Sequence, residues 1–102
     1  MKKIINGKLY NTDTATQIAI YNNGYYINDF NCVYETLYRK RTGEFFIHGE
    51  GGAMSEYSVR CSDGSWCWGE KIIPLTEKGA QRWAEVHLEA DEYIKLFGEP
   101  EE

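Results

Sequence analysis

Three cysteines and two histidines are the side chains whose types would suit metal binding or nucleophilic catalysis. A zinc site would have to draw its ligands from Cys32, Cys61, Cys67 and His48. Structural zinc sites usually carry paired ligands roughly two to four residues apart, whereas five residues separate Cys61 from Cys67. We therefore expect no metal and no cofactor. The cysteines are predicted to be reduced thiols in the core, although a hairpin turn would let Cys61 and Cys67 face each other.

Nucleophilic catalysis would pair a cysteine with His48 or His87, with Glu50 orienting the imidazole ring. Nothing in the spacing of these residues requires them to meet. His48 ends a predicted strand and is the better candidate for chemistry, because His87 falls on the apolar stripe of a predicted helix. We predict no catalytic residue and no enzymatic activity, and keep a small enzyme using His48 and Glu50 as an alternative.

The glycine-rich segment Gly49-Glu50-Gly51-Gly52 invites comparison with phosphate-binding loops. It lacks the Lys-Ser or Lys-Thr pair of such loops, and it places a carboxylate where a phosphate would lie. We predict that it is a tight connection between two strands.

A basic tripeptide at residues 39–41, close to Tyr34 and Tyr38, has the ingredients of single-stranded nucleic-acid binding. Glu35 and Glu44 flank it, and charges at a hairpin tip are usually solvated side chains that prevent edge pairing. Direct nucleic-acid binding is not expected. A regulator that binds nucleic acid through this tip remains an alternative.

The net charge of −5 is concentrated at the C-terminus. Residues 1–75 hold eight cations and eight anions, whereas residues 76–102 hold three cations and eight anions, which accounts for the whole −5. An excess of anions disfavours contact with nucleic acid and favours contact with a basic protein surface.

The N-terminal residues predict a hairpin followed by a short helix. Asn6-Gly7 lies between apolar pairs and is the signal for a two-residue type I′ turn. Thr12 or Asp13 offers a helix N-cap, and the run Asn22-Asn23-Gly24 offers a helix end.

The rest of the chain predicts a four-stranded antiparallel sheet packed by a C-terminal helix. Alternation and turn signals place the strands at residues 32–38, 44–48, 54–61 and 66–73, with Asp63-Gly64 as a second type I′ turn. Thr76 is the predicted N-cap of the helix, with a break at residues 88–91 and an end at Gly98. The predicted architecture is a single α+β domain over residues 1–102.

No stretch approaches the roughly 20 apolar residues that span a bilayer, and the first residues lack the apolar run of a secretory signal. We therefore expect no membrane association and a location in the cytoplasm of the producing cell.

Four segments resemble a family of small proteins carried by phages, plasmids and other mobile elements of Firmicutes. They read KIINGKLYNTDTATQIA, ETLYRKRTGEFFIHGEGG, GEKIIPLTEKGAQRWAEVHL and ADEYIKLFG. Some small acidic proteins from this setting are anti-CRISPR proteins that act on the RNA-guided DNA nuclease of type II-A systems. The resemblance implies binding rather than chemistry.

The resemblance implies an inhibitor in the bacterial cytoplasm that binds a type II-A CRISPR effector nuclease, with or without its guide RNA, by occupying its guide-RNA or DNA groove. Under the alternative, the chain is a mobile-element regulator that binds nucleic acid through residues 39–41. Such grooves are lined by Lys and Arg, to which an anionic helix is complementary. The anionic contacts expected on the last helix are Glu85, Glu89, Asp91 and Glu92. Glu50 and Tyr57 are further candidates for partner contact.

Overall fold

The computed structural model describes residues 1–101, and in that part of the chain it contains eight strands and two helices. The strands are β1 Lys2–Ile5, β2 Lys8–Asn11, β3 Thr16–Asn22, β4 Val33–Arg39, β5 Phe45–Gly51, β6 Val59–Arg60, β7 Trp66–Cys67 and β8 Gly69–Leu75. The helices are α1 Glu77–His87 and α2 Ala90–Phe97.

The main sheet has four antiparallel strands in the order β3-β4-β5-β8, and α1 packs on it. The predicted α+β class is therefore confirmed. The predicted short helix after the N-terminal hairpin is wrong, because Thr16–Asn22 forms β3. Its small and β-branched residues pair with β4, with a bulge between Gln17 and Ala19.

The predicted strand at residues 54–61 is reduced to the two residues of β6. Ser55 explains the difference, because its hydroxyl donates to the Gly52 carbonyl at 2.7 Å and accepts from the Tyr57 amide at 3.2 Å. These local bonds compete with strand pairing. The fourth strand of the sheet is β3 instead.

Each face of the main sheet has its own core. On the front face, defined by Leu37 and Ile47, buried Phe45 and Ala80 complete a cluster on which Trp83 packs. On the back face, defined by Phe46 and His48, the main apolar contacts come from Tyr10 and Ile72. The β1–β2 hairpin supplies Tyr10, whose ring meets Phe46 edge to face.

The two predicted type I′ turns differ in the structure. Asn6 and Gly7 have φ of 51° and 77°, so the β1–β2 turn is confirmed. Gly64 alone of the second pair has positive φ, and the amide of Cys61 donates to the Ser65 carbonyl across a longer loop. The Asp63-Gly64 turn exists, but its predicted type is wrong.

The cysteines do not share one environment. Cys32 is a buried free thiol, as predicted, and burial raises its pKa. Cys61 and Cys67 form a disulfide across the β6–β7 hairpin, with their Cα atoms 5.9 Å apart. The prediction of three reduced thiols is therefore wrong for this pair, because the hairpin turn brings the two residues together.

The C-terminal helical region breaks where the sequence predicts. Helix α1 ends at His87, and its C-cap residue Leu88 has extended backbone angles. Helix α2 begins after Glu89 and is capped at its C-terminus by Gly98. Within residues 1–101, neither helix has the length and apolar character needed to cross a membrane.

Thr76→Ala is expected to lower the free energy of unfolding by about 1 kcal/mol. The Thr76 side chain accepts a 3.0 Å hydrogen bond from the Gly79 amide at the start of α1, and alanine leaves that amide without its partner. Urea denaturation followed by circular dichroism would measure the loss. Thr76→Ser, which keeps the hydroxyl, should behave like the wild-type protein, and an equal loss in both variants would contradict the capping role.

Candidate functional site

Four acidic side chains lie at the junction of α1 and α2, which we call the acidic corner. Glu85 is on α1, Glu89 is the N-cap of α2, and Asp91 and Glu92 are in its first turn. All four are exposed, and none forms an ion pair with Lys or Arg among residues 1–101. The break at Leu88 means that they do not line one continuous helical face.

A groove lies between the two helices beside the acidic corner. It has a volume of about 280 Å³. Its lining is apolar apart from one carboxylate, and comprises Ala84, Leu88, Ala90, Tyr93, Ile94, Pro100 and Glu85. An apolar depression rimmed by charge is the arrangement found at many protein interfaces.

An exposed apolar loop joins β3 to β4 at the same end of the sheet. Tyr26 is 84% exposed, Ile27 66% and Phe30 65%, and the Phe30 carbonyl accepts a bond from the amide of equally exposed Met54. The loop begins two residues after Tyr21, whose ring stacks on that of His87 at the end of α1. The loop base and the acidic corner therefore share one end of the molecule.

Tyr57 is not available to a partner. Its side chain is 1% exposed, and its ring lies across the strand glycine Gly49 on the front face, while its backbone carbonyl lies against Gly69. Its hydroxyl donates a hydrogen bond to the Glu35 carboxylate. The sequence-based suggestion that Tyr57 contacts a partner is therefore wrong.

Glu35 is the centre of a polar cluster beneath α1 that sequence reasoning did not identify. Besides the Tyr57 hydroxyl, its carboxylate accepts a 2.9 Å hydrogen bond from Trp83 Nε1, and His87 Nε2 lies 3.5 Å away. Burial first, and then the hydrogen bond and charge of Glu35, raise the pKa of Tyr57 above its ordinary value. The cluster ties β4, α1 and the segment before β6 together.

Glu50 lies on the back face and not with the acidic corner. It follows Gly49 within β5, which corrects the prediction that the glycine-rich segment is only a connection. Its carboxylate lies 3.9 Å from His48 Nε2, and Glu70 of β8 lies 3.4 Å from the same nitrogen. His48 and Glu50, the pair considered for catalysis, are therefore neighbours, and Glu70 joins them.

The basic tip is partly neutralised. Glu44 accepts from Lys8 at 2.9 Å and from Lys40 at 3.4 Å, and the Lys8 hydrogen bond holds the pKa of Glu44 below its ordinary value. Arg39 stacks over the ring of Phe45. These contacts reduce the positive charge that a phosphate backbone would meet.

Alternation along β4 puts Glu35 on the same face as Leu37, and this pattern was the sequence signal for a mostly buried carboxylate. Glu70 had no comparable signal, because its neighbours on the back face come from other strands.

In comparisons with known proteins, the chain matches no family model, no curated protein and no solved structure.

Proposed function

We propose that the protein is an anti-CRISPR inhibitor from a phage or mobile element that acts in the bacterial cytoplasm. It binds a type II-A RNA-guided DNA nuclease and occupies the groove for guide RNA or target DNA. The observation that carries the proposal is the acidic corner, where four exposed carboxylates have no Lys or Arg partner within residues 1–101. The resemblance to proteins of mobile elements supplies the class of partner.

Electrostatics supports binding at the corner. Grooves that hold a guide–target duplex are positively charged and recognise the backbone rather than the sequence. Carboxylates already held in ion pairs would offer little to such a surface, whereas unpaired carboxylates attract it and raise the association rate.

The surroundings of the corner supply apolar contact area. The groove between α1 and α2 and the exposed loop with Tyr26, Ile27 and Phe30 lie at this end of the molecule. Interfaces draw most of their affinity from a few buried apolar anchors inside a polar rim. We therefore assign the charged residues to steering and orientation, and the apolar ones to affinity.

Reversing two charges at the corner tests the proposal. Glu85→Lys combined with Glu92→Lys is expected to raise the concentration for half-inhibition of DNA cleavage by about tenfold or more, because a basic groove would then meet like charge. The assay uses a panel of type II-A nucleases, with the inhibitor added before or after guide RNA. The order of addition separates a block of guide loading from a block of DNA binding.

The matched control is Asp13→Lys with Glu56→Lys, which changes the net charge equally at two exposed positions outside the corner. It should inhibit like the wild-type protein. If both double variants lost inhibition equally, the net charge of the protein would matter and the position of the charges at the acidic corner would not. Undiminished cleavage by the whole panel at a large excess of wild-type protein would overturn the proposed function.

A further inference from the structure

Three potential metal ligands meet on the back face of the sheet, at the edge formed by β5 and β8. His48 and Glu50 are two residues apart on β5, so they point to the same side. Glu70 of β8 is directly opposite Glu50 in the strand register. One ligand atom from each side chain lies within 4.8 Å of the other two.

The imidazole of His48 is oriented towards the two carboxylates. Its Nε2 atom is buried and has no hydrogen-bond partner in the described structure. The nearest carboxylate oxygens are those of Glu70 at 3.4 Å and Glu50 at 3.9 Å. A buried polar atom without a partner is costly, so an occupant that Nε2 can bind would remove that cost.

The two carboxylates face each other with no Lys or Arg side chain of the described part of the chain between them. Like charges directly opposite each other on neighbouring strands destabilise a sheet. Within residues 1–101, neither Glu50 nor Glu70 forms an ion pair with Lys or Arg. Lys71, the next residue along β8, points to the front face and donates to the Glu56 carbonyl at 3.3 Å.

We propose that His48, Glu50 and Glu70 bind a divalent transition-metal ion of the zinc type. One imidazole and two carboxylates suit such an ion. Tetrahedral ligands with bonds of about 2.0 Å lie about 3.3 Å apart, so the separation of Nε2 from Glu70 already fits. The separation from Glu50 closes by about half an ångström with a small side-chain rotation.

The ion holds the edge strand β8 to β5. The side chain of Glu70 is 46% exposed, so water reaches the fourth coordination position from that side. From the sequence, metal binding was judged mainly by the spacing of the cysteines, and no metal site was therefore predicted. The ligands of this site come from two strands, and their meeting depends on the register of β5 with β8. The site is independent of the acidic corner and of the proposed function.

Zinc titration followed by nuclear magnetic resonance tests the proposal directly. The chain has two histidines, so the ring nitrogens of His48 and His87 can be assigned individually. One equivalent of Zn²⁺ is expected to shift the Nε2 signal of His48 and leave that of His87 in place. Excess Zn²⁺ should raise the melting temperature by several degrees, because it binds the folded chain alone.

Glu50→Gln and Glu70→Gln should each weaken Zn²⁺ affinity by more than about tenfold, because a carboxylate ligand is lost. Without zinc, both variants should melt at or above the wild-type temperature, since a like-charge pair is removed. Glu56→Gln, at an exposed position outside the cluster, is the control and should bind zinc like the wild-type protein. An unshifted His48 signal at excess Zn²⁺ would overturn the proposal. So would Zn²⁺ binding that the two cluster variants leave unchanged, because the ion would then be held by other residues.

Discussion

Gly49→Ala is expected to lower the free energy of unfolding by about 3 kcal/mol or more. Gly49 lies inside β5, and a Cβ atom there would fall well within van der Waals distance of the Tyr57 ring. Tyr57 cannot move aside easily, because its side chain is buried and its hydroxyl is bonded to Glu35. Urea denaturation monitored by tryptophan fluorescence would give the loss.

A second glycine provides the control for this prediction. Gly79 is in the first turn of α1, where the nearest atom to an added Cβ is the Thr76 hydroxyl oxygen at 3.3 Å. Alanine favours helix over glycine by roughly 1 kcal/mol, which offsets this tighter contact, so Gly79→Ala should change stability little. If Gly49→Ala changed the free energy of unfolding as little as Gly79→Ala, the Tyr57 ring would not lie against Gly49 as it does in this structure.

Tyr57→Leu gives a sharper test of the same contact. With a smaller side chain in place of the ring, adding a methyl group at Gly49 should cost less than it does in the wild-type protein. We expect a coupling of about 1 to 3 kcal/mol between the two positions. If the stability losses of Gly49→Ala and Tyr57→Leu simply added in the double variant, the methyl group of Gly49→Ala would clash with some residue other than residue 57.

The glycine-rich segment shows why part of the sheet was not predictable from sequence. A run of glycines usually indicates a loop, because glycine has no side chain to pack and loses more backbone entropy when it is fixed in a strand. In this fold Gly49 is required within the strand because an aromatic ring crosses it. That ring comes from the segment at residues 54–61, whose sequence predicts a strand but whose local bonds at Ser55 form a turn.

Residues 16–22 show the same limit at the sheet edge. Their apolar side chains recur at spacings compatible with a short helix, and an N-cap residue precedes them. Pairing with β4 outweighs that preference, because the strand lets Ile18 pack on the front-face core. The number of strands in the main sheet was predictable, whereas the identity of its members depended on contacts distant in sequence.

Some features of the candidate site were predictable from sequence, and others depended on tertiary contacts. The acidic corner followed from charge counting, because charged side chains stay on the surface wherever the helix lies. The burial of Tyr57 did not follow, since tyrosine suits both interfaces and cores. The cluster of His48, Glu50 and Glu70 required the register of two strands, which no local pattern in this sequence specifies.

Tyr57→Phe is expected to lower the free energy of unfolding by about 1.5 to 3 kcal/mol at neutral pH. The substitution keeps the ring over Gly49 but removes the hydrogen bond to a carboxylate that is mostly buried. Glu35 then keeps the bond from Trp83 Nε1, so the cluster is weakened and not abolished. Tyr26→Phe, at an 84% exposed side chain, is the matched control and should have little effect.

The stability difference between Tyr57→Phe and Tyr26→Phe should be constant near neutral pH and should shrink at alkaline pH. The folded state raises the pKa of Tyr57, whereas in the unfolded chain this phenol ionises near its ordinary pKa of about 10. Above that pH the folded state therefore binds more protons than the unfolded state. The stability that Tyr57 contributes is thus complete below about pH 10 and is lost as pH rises further, by at most about 1.4 kcal/mol per pH unit.

Tyr57→Phe removes the titrating group, so its unfolding free energy should fall less steeply above pH 10 than that of the wild-type protein or Tyr26→Phe. Denaturation series between pH 8 and 11 would compare the slopes. Tyr38, whose pKa burial also raises, remains in every variant and contributes equally to each. The comparison therefore isolates Tyr57, and equal slopes in all three proteins would mean that its hydroxyl is not buried against Glu35 in solution as the structure has it.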